Sequence, residues 1–476
     1  MNLSCVILAA GEGTRMKSKL PKVLHTVCGV PMLQAVVSTA KKLKPNKIVI
    51  VTGEHKQRIK DTLQDDELVF ALQKEPRGTG HALRCARPAL KNTKGVIVVL
   101  NGDSPLVRSE TIREFLHLHR RNMNSVSILS FAATNPDNYG RIVRDASGRL
   151  QGIVEQNDAS SAQKEIREVN SGVYALQPDA LHVLDEIRMN RPKGEYYLTD
   201  IVAAAMRKNL RTAAYCMGTE DEFMGVNTRR ELYAASRLMK KRIIDKWIDR
   251  GIFFLDTDSV FIHPDVTIGE DTTLYPNVYL EGRTTIGRGS IIYPNVRIRN
   301  SEIGKKVVIM DSTVIEDSRI RDRASVGPFA RLRPGSDVGS EARIGNFVEL
   351  KKTVIGKGSK ASHLSYLGDS TVGKDVNIGA GTITCNYDGM KKHATEIEDN
   401  VFIGSDTQLV APVRIGRGAY VGAGSTITQD VPPLSLAVSR TNQRTIEGWA
   451  LKRKFKVQSS KLKKKGAKGS GGPGVK

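Results

Sequence analysis

Ile262-His-Pro-Asp-Val-Thr-Ile268-Gly-Glu-Asp-Thr-Thr-Leu274-Tyr-Pro-Asn-Val-Tyr-Leu280 places an aliphatic residue at every sixth position. The series continues through Ile286, Ile292 and Ile298, slips by one residue to Ile303, Ile309 and Ile315, and slips again to Ile320. From there it runs Val326, Leu332, Val338, Ile344 and Leu350, then in pieces through Ile355, Ala361, Leu367, Val372 and Ile378. After an interruption it returns as Ile397, Ile403, Leu409, Ile415, Val421 and Ile427. Glycine often follows, as in Ile268-Gly269, Ile344-Gly345 and Ile415-Gly416. A period of six suits neither an amphipathic helix nor a strand with one buried face. It suits a triangular parallel β-helix, in which each hexad supplies one flat side and one corner. The aliphatic residue fills the prism and small residues turn the corner. Three hexads close a coil, so the repeat makes roughly nine coils.

Upstream, the first 225 or so residues alternate strand and helix signals. Strand-like runs are Ser4–Ala10, Lys47–Thr52, Gly95–Leu100, Ser125–Phe131 and Gly172–Leu176, which with intervening helices predict a mostly parallel sheet. Leu232, Ala235, Met239, Ile243 and Trp247 recur at helical spacing and predict a connecting helix that stops near Gly251. The expected organisation is an α/β domain over 1–229, a helical linker over 230–250, the β-helix over 251–450 and a basic disordered tail over 451–476.

Composition narrows the class. At 476 residues, 26% charged and 39% apolar, the chain reads as globular and not as wholesale disorder. No apolar run reaches the roughly 18 residues of a membrane span. The N-terminus lacks the basic region of a signal peptide. Five scattered cysteines, odd in number and without a CxxC pair, point to free thiols in a reducing cytoplasm and to no zinc site. The net charge of +23 includes ten Lys/Arg and no acid in residues 451–476, leaving +13 on the remainder. That excess suits enzymes steering anionic substrates, so no nucleic-acid partner is expected.

Chemistry-bearing motifs begin directly after the first strand, at Leu8-Ala9-Ala10-Gly11-Glu12-Gly13-Thr14-Arg15-Met16. No Gly-Lys-Ser/Thr closes this loop, so it is not a Walker A loop, and it lacks the third glycine of the dinucleotide fingerprint. Its glycines let backbone N–H groups approach an anion, with Arg15 adding a fixed charge. Asn101-Gly102-Asp103 closes a buried strand, the usual place for a ligand-binding carboxylate in an α/β sheet.

Together with Pro21-Lys22, that loop resembles the nucleotide-diphosphosugar transferase family, whose catalytic domain is a Rossmann-like α/β fold. Further pieces stand in that family's order: Gln73, Gly78-Thr79-Gly80, Asn101-Gly102-Asp103, Tyr139-Gly140-Arg141, Glu155, Asn170, Glu195-Tyr196-Tyr197 and Asn227. With the C-terminal repeat included, residues 1–450 resemble the bacterial family of bifunctional N-acetylglucosamine-1-phosphate uridylyltransferase/glucosamine-1-phosphate acetyltransferases. The resemblance implies a left-handed β-helix, which the spacing alone does not show. It implies acetyl transfer from acetyl-CoA to glucosamine-1-phosphate, then uridylyl transfer from UTP, giving UDP-N-acetylglucosamine for cell-wall synthesis. UTP and the product would contact Leu8, Ala9, Ala10, Gly11, Lys22, Gln73, Gly78, Thr79, Asn101, Gly102, Asp103, Gly140, Glu155, Asn170 and Asn227. Asp103 and Asn227 would hold Mg²⁺, while Arg15 and Lys22 neutralise the triphosphate. Glu12, an acid inside the phosphate loop, is expected to point outward.

The alternative reading makes the β-helix a purely structural trimer-former, so its own site is argued separately. Lys351–Asn386 breaks the aliphatic-Gly register with polar residues, including His363. An imidazole suits general-base work on the amine of glucosamine-1-phosphate. Arg333 and Lys351 are the candidate phosphate clamps. By resemblance, Tyr366 and Asn377 contact the sugar, and Ala380, Asn386, Tyr387, Ser405, Ala423 and Arg440 line the acetyl-CoA site. Direct attack on the thioester is expected, with no acyl-enzyme on Cys385. The resemblance also implies a homotrimer with acetyl-CoA between neighbours; because Arg440 lies beyond the final hexad, one chain is expected to supply His363 and its neighbour Arg440.

Overall fold

The computed structural model describes residues 2–190 and 194–453, so the expectation of a disordered tail falls, from residue 454 on, outside the described residues. The chain forms two compact units, Met1–Pro334 and Gly335–Lys476.

In the first unit, seven strands lie in the order Thr212–Cys216, Val126–Ala132, Glu168–Leu176, Val96–Asn101, Leu3–Ala9, Lys47–Thr52 and Leu68–Leu72. The last four of these pair in parallel, as expected of apolar strands linked by helices. Glu168–Leu176 departs from that pattern, running antiparallel to both neighbours. Both faces are covered. Cys5, Ile7, Ile50, Val98 and Phe131 pack in one cluster, whereas Val6, Val49, Val51, Val99 and Ile128 pack in another. Burial on two faces explains why these strands read as unbroken apolar runs instead of alternating ones. The C-terminal ends Ala9, Thr52 and Asn101 come side by side, since Leu8 pairs with Asn101 and Ala9 with Thr52.

The connecting helix spans Arg229–Ile248, with a capping box in which Thr228 and Glu231 satisfy each other's backbone N–H. It packs on both the α/β part and the first coils. Arg242 donates to the Leu106 carbonyl, Cys28 Sγ lies 3.4 Å from the Ser236 carbonyl, and Lys240 donates to the Asp258 carbonyl. Those contacts account for the first coils belonging to the same unit as the sheet.

Each aliphatic hexad residue quoted above is buried in its own unit. Strands stack in parallel at an offset of one coil: Phe261 pairs with Tyr279, and Thr285 with Glu302. The one-residue slips in the sequence are coils shortened from 18 residues to 17, turned at Asn300 (φ 46°) and Asp317 (φ 43°). Hydroxyls ladder up that corner, the Ser301 N–H reaching Thr284 Oγ1 at 3.4 Å and the Ser318 N–H reaching Ser301 Oγ at 3.1 Å.

In the second unit one ladder runs through Arg343–Asn346, Lys360–His363, Asn377–Ile378, Phe402–Ile403, Tyr420–Val421 and Leu436–Ala437. Where the hexads look disturbed, two seven-residue strands, Glu349–Ile355 and Tyr366–Val372, pair along most of their length. The interruption before Ile397 is an inserted loop, because Ser370 pairs with Thr395, 25 residues on. A Cβ on Gly345 would lie 1.9 Å from the Ser362 carbonyl oxygen, so the coils approach too closely there for any other residue.

Candidate active sites

The glycine loop leaves the first strand at Ala9 and turns through Gly13 (φ 67°) into a short 3₁₀ turn, Thr14–Met16. A Cβ on Gly13 would stand 2.4 Å from Lys22 Cβ, so glycine permits both the conformation and the approach of Lys22. Lys22 Nζ donates to Asp103 Oδ2 at 2.5 Å and to Asn227 Oδ1 at 2.9 Å. Both side chains of the Lys22–Asp103 pair are largely buried, 11% and 23% exposed. The Val226 N–H donates to the Asp103 carbonyl at 2.9 Å, tying the loop of Asn227 to the strand end. Arg15 is exposed on its turn, and so is Glu12. Glu12 also lines, with Ala9, Ala10, Gly11 and Gln73, a cavity of about 180 Å³.

Gln73 is buried, its amide donating to the Gly78 carbonyl at 3.1 Å and contacting His81 Nδ1 at 3.0 Å. Thr79 Oγ1 accepts from the Leu198 N–H at 3.0 Å, joining the glycine turn to the Glu195-Tyr196-Tyr197 segment. Asn101 packs under Gly172, where a Cβ would lie 2.1 Å from Asn101 Nδ2. The sequence-predicted sugar residues also come together. The space beside Gly140 Cα is bounded by Glu155 Oε1 and Asn170 Cβ, 3.7 and 3.8 Å from where a Cβ would stand. Thr199 Oγ1 donates to Glu155 Oε1 at 2.8 Å, and the Asn170 amide donates to Tyr174 Oη at 2.8 Å. Burial, reinforced by Glu155 nearby, raises the Asp200 carboxyl above the ordinary carboxylate range. Sequence reasoning missed Tyr174 and Thr199. Thr199 lies two residues beyond the quoted Tyr197, whereas Tyr174 reads as ordinary strand core.

The second unit gathers a different set. His363 Nδ1 lies 2.6 Å from Asn346 Oδ1, and the two residues are register partners on adjacent parallel strands. Tyr366, Gly368 and Asn386 cluster, because a Cβ on Gly368 would lie 2.5 Å from Tyr366 Oη and 2.9 Å from Asn386 Nδ2. Lys351 pairs with Gly368 in the neighbouring strand. The Asn386 amide is committed to Asp369 Oδ2 at 2.5 Å, and Tyr387 stands 60% exposed. The inserted loop is held by Asp388, which accepts from the Lys391 and Met390 N–H groups and from His393 Nε2 at 2.7 Å. These contacts hold its carboxyl well below the usual range. Ala380, Ser405 and Ala423 stack at equivalent points of successive coils, with the Asp406 N–H on the Ala380 carbonyl and the Gly424 N–H on that of Ser405. Arg440 Nη1 closes the stack, donating to the Ala423 carbonyl at 2.7 Å. Arg333 lies in the first unit, its carbonyl accepting from Ser318 Oγ at 3.1 Å.

Residues 4–253 match the family model described as Nucleotidyl transferase, and residues 265–300 and 394–429 match Bacterial transferase hexapeptide (six repeats). The chain is 50% identical over 452 residues to Bifunctional protein GlmU of Thermodesulfovibrio yellowstonii, covering 95% of this chain and 100% of that one. It is 45% identical over 455 residues to the Geotalea uraniireducens protein of that name, covering 95% and 100%. Against the Clostridioides difficile protein the identity is 45% over 462 residues, covering 97% and 100%. The chain belongs to the bifunctional GlmU family.

As a GlmU family member it is a two-activity transferase, a glucosamine-1-phosphate acetyltransferase and a UDP-N-acetylglucosamine diphosphorylase. Nucleotidyl transfer in this family uses a divalent cation, and the first site fits one. Asp103 and Asn227 are hard oxygen donors that converge on a single positive group, the Lys22 ammonium. Among the described residues no cluster of three or more His, Cys, Asp or Glu surrounds a metal position. Further ligands would therefore be water and phosphate oxygens, the habit of a small, hard dication. All five cysteines are unpaired. Among the described residues no helix is long and apolar enough to cross a membrane.

Proposed function

We propose that uridylyl transfer runs at the C-terminal edge of the sheet, around Lys22, Asp103 and Asn227, and acetyl transfer on the coils around His363. The supporting observation for the first is the convergence of two oxygen donors and one lysine beside the Gly11–Gly13 loop. A phosphate oxygen of N-acetylglucosamine-1-phosphate attacks the α-phosphorus of UTP; the new P–O bond forms as the bond to pyrophosphate breaks. Both partners are anions, so the work is charge neutralisation and in-line placement. Mg²⁺ held by Asp103 and Asn227 supplies charge neutralisation at the phosphate oxygens when bound. Lys22 and Arg15 add cationic charge along the triphosphate. Gln73, Gly78 and Thr79 take the uracil, and Gly140, Glu155 and Asn170 orient the sugar.

In the acetyl reaction the amine of glucosamine-1-phosphate attacks the thioester carbonyl of acetyl-CoA. His363 takes the amine proton, and coenzyme A leaves as its thiol(ate). Tyr366 and Asn377 hold the sugar, and Lys351 takes its phosphate, with Arg333 assigned to that role on sequence resemblance. The Ala380–Ser405–Ala423 stack with Arg440, together with Asn386 and Tyr387, receives acetyl-CoA. We assign the protein to the cytoplasm and to a homotrimer. Supporting assembly, Phe402 and Tyr420 stack at 5.5 Å on one flat side, and they and Leu436 are 43%, 56% and 70% exposed.

Separate assays on one preparation test the assignment. Asp103→Ala should abolish uridylyl transfer and spare acetylation, and His363→Ala should do the reverse. Loss of both activities in either folded variant overturns the two-site reading.

A further inference from the structure

The acetyl site contains a contact that neither motif nor resemblance assigns. His363 Nδ1 and Asn346 Oδ1 are 2.6 Å apart, shorter than most neutral N–H···O bonds. An amide oxygen can only accept, so the proton of this bond sits on Nδ1 and the lone pair on Nε2. We infer that Asn346 is the positioning residue of the acetyl-transfer base: it fixes the tautomer of His363 that leaves Nε2 ready to take the amine proton. This rests on the reading of His363 as that base.

The backbone makes the contact a built one. Asn346 and His363 are paired across adjacent parallel strands, one 17-residue coil apart. The Leu364 N–H donates to the Asn346 carbonyl at 3.0 Å, locking the two coils beside the pair. Gly345, with no room for a Cβ over the Ser362 carbonyl, brings the strands together just before it. Ser365 Oγ then donates to the His363 carbonyl at 2.9 Å and reaches the Gly379 carbonyl at 3.3 Å, fixing the following corner. The imidazole is exposed although its backbone is held on both sides, which suits a base that must meet a substrate.

A neutral amide is a meaningful choice here. A carboxylate in the same place would fix the same tautomer, but its charge would favour the imidazolium and withhold the base at low pH. Other titratable groups on the surrounding elements are Arg343 and Lys360 on the paired strands, Glu349, Lys351 and Lys352 on Glu349–Ile355, and Tyr366 and Asp369 on Tyr366–Val372. All of these stay constant in the comparison that follows.

Two variants of the full chain, Asn346→Leu and Asn346→Asp, are assayed for both activities across pH 5.5–9. Leucine keeps the volume and removes the acceptor. Its acetyl-transfer kcat should fall by about 10- to 100-fold, part of the roughly 10²–10⁴ that a general base contributes. The KM for glucosamine-1-phosphate, the uridylyl-transfer rate and the melting temperature should change little. Aspartate restores an acceptor, so kcat should recover most of its value at alkaline pH. The acid limb of kcat/KM should meanwhile move upward by about one unit, because the added charge stabilises imidazolium. A wild-type rate in Asn346→Leu overturns the inference, as does an Asn346→Asp enzyme equally slow at every pH. His363→Ala separates the two layers. If it still acetylates, the base assignment fails; if it is inactive while both Asn346 variants behave as wild type, only the positioning role fails.

Discussion

The two reactive regions bring polar side chains together by different routes. In the α/β sheet, Lys22 reaches Asp103 across 81 residues and Asn227 across 205. On the coils, His363 meets Asn346 and Asn386 meets Asp369, each pair 17 residues apart. A repeat turns one constant offset into contact, so each outward residue has its neighbour one coil away. A sheet site has no such rule. Its neighbours are fixed by strand order and loop path, and each contact depends on the whole domain. A site on the repeat should thus yield to local damage locally, and a site on the sheet globally.

The largest expected effect sharpens that contrast at Lys22. Lys22→Ala removes a cation from the proposed phosphate site and should lower uridylyl kcat/KM by about 10²–10³-fold, the range for one preorganised electrostatic contact. Because the ammonium occupies the point where Asp103 and Asn227 converge, the variant should also bind Mn²⁺ more tightly without nucleotide, read by electron paramagnetic resonance. Unchanged acetylation is expected, and unchanged Mn²⁺ affinity would contradict the shared position.

Core truncation compares the two regions directly. Ile50→Ala in the sheet and Ile309→Ala in the prism each remove a fully buried side chain and should cost about 2–5 kcal/mol. Hydrogen exchange distinguishes their reach: faster exchange throughout the sheet in the first case, and only in coils adjoining Ile309 in the second. Equal spread in both would break the comparison.

Acid should act on the α/β part before the coils, since the buried imidazoles, His25 and His119, both lie in it. His119 Nδ1 contacts Ser127 Oγ at 2.8 Å and Nε2 faces the Gln177 amide at 3.3 Å. Burial, then the adjacent Arg120, pushes its pKa down to about 4. Above the unfolded value near 6.5 both states are neutral and nothing changes. As pH falls below that value the unfolded chain binds a proton that the folded state refuses, so stability drops until about pH 4. The total is about 3 kcal/mol at ~1.4 kcal/mol per pKa unit. Urea midpoints from pH 7 to 4.5 should show this slope, and His119→Gln should flatten it.

The smallest effect concerns the basic tail. Removing residues 457–476 should leave both turnover numbers within about twofold, because this stretch is Lys/Gly-rich and holds few apolar residues with which to shape a site. A large loss at ordinary salt would assign the tail a part in one of the two sites.

Much of this molecule follows from the sequence alone. The hexads determine the coils, because a residue that recurs at one position of a repeat must meet its own equivalents. Even the register slips at Ile303 and Ile320 mark coils of 17 residues. The expected strand Lys47–Thr52 is observed unchanged, and the connecting helix lies within two residues of its expected span. The loop stood out because glycines and cations occur there at short spacing, and Gly13 does take a positive φ against Lys22. Tertiary structure alone decided three things. It turned Glu168–Leu176 antiparallel, a choice made by sheet packing and not by the strand's own residues. It placed Lys22 on Asp103 and Asn227, a contact between charges whose separation in sequence carries no spacing signal. And it showed Asn346 beneath His363, which the repeat allowed but could not single out, since an offset specifies which residues are neighbours and only side-chain geometry specifies which of them bond.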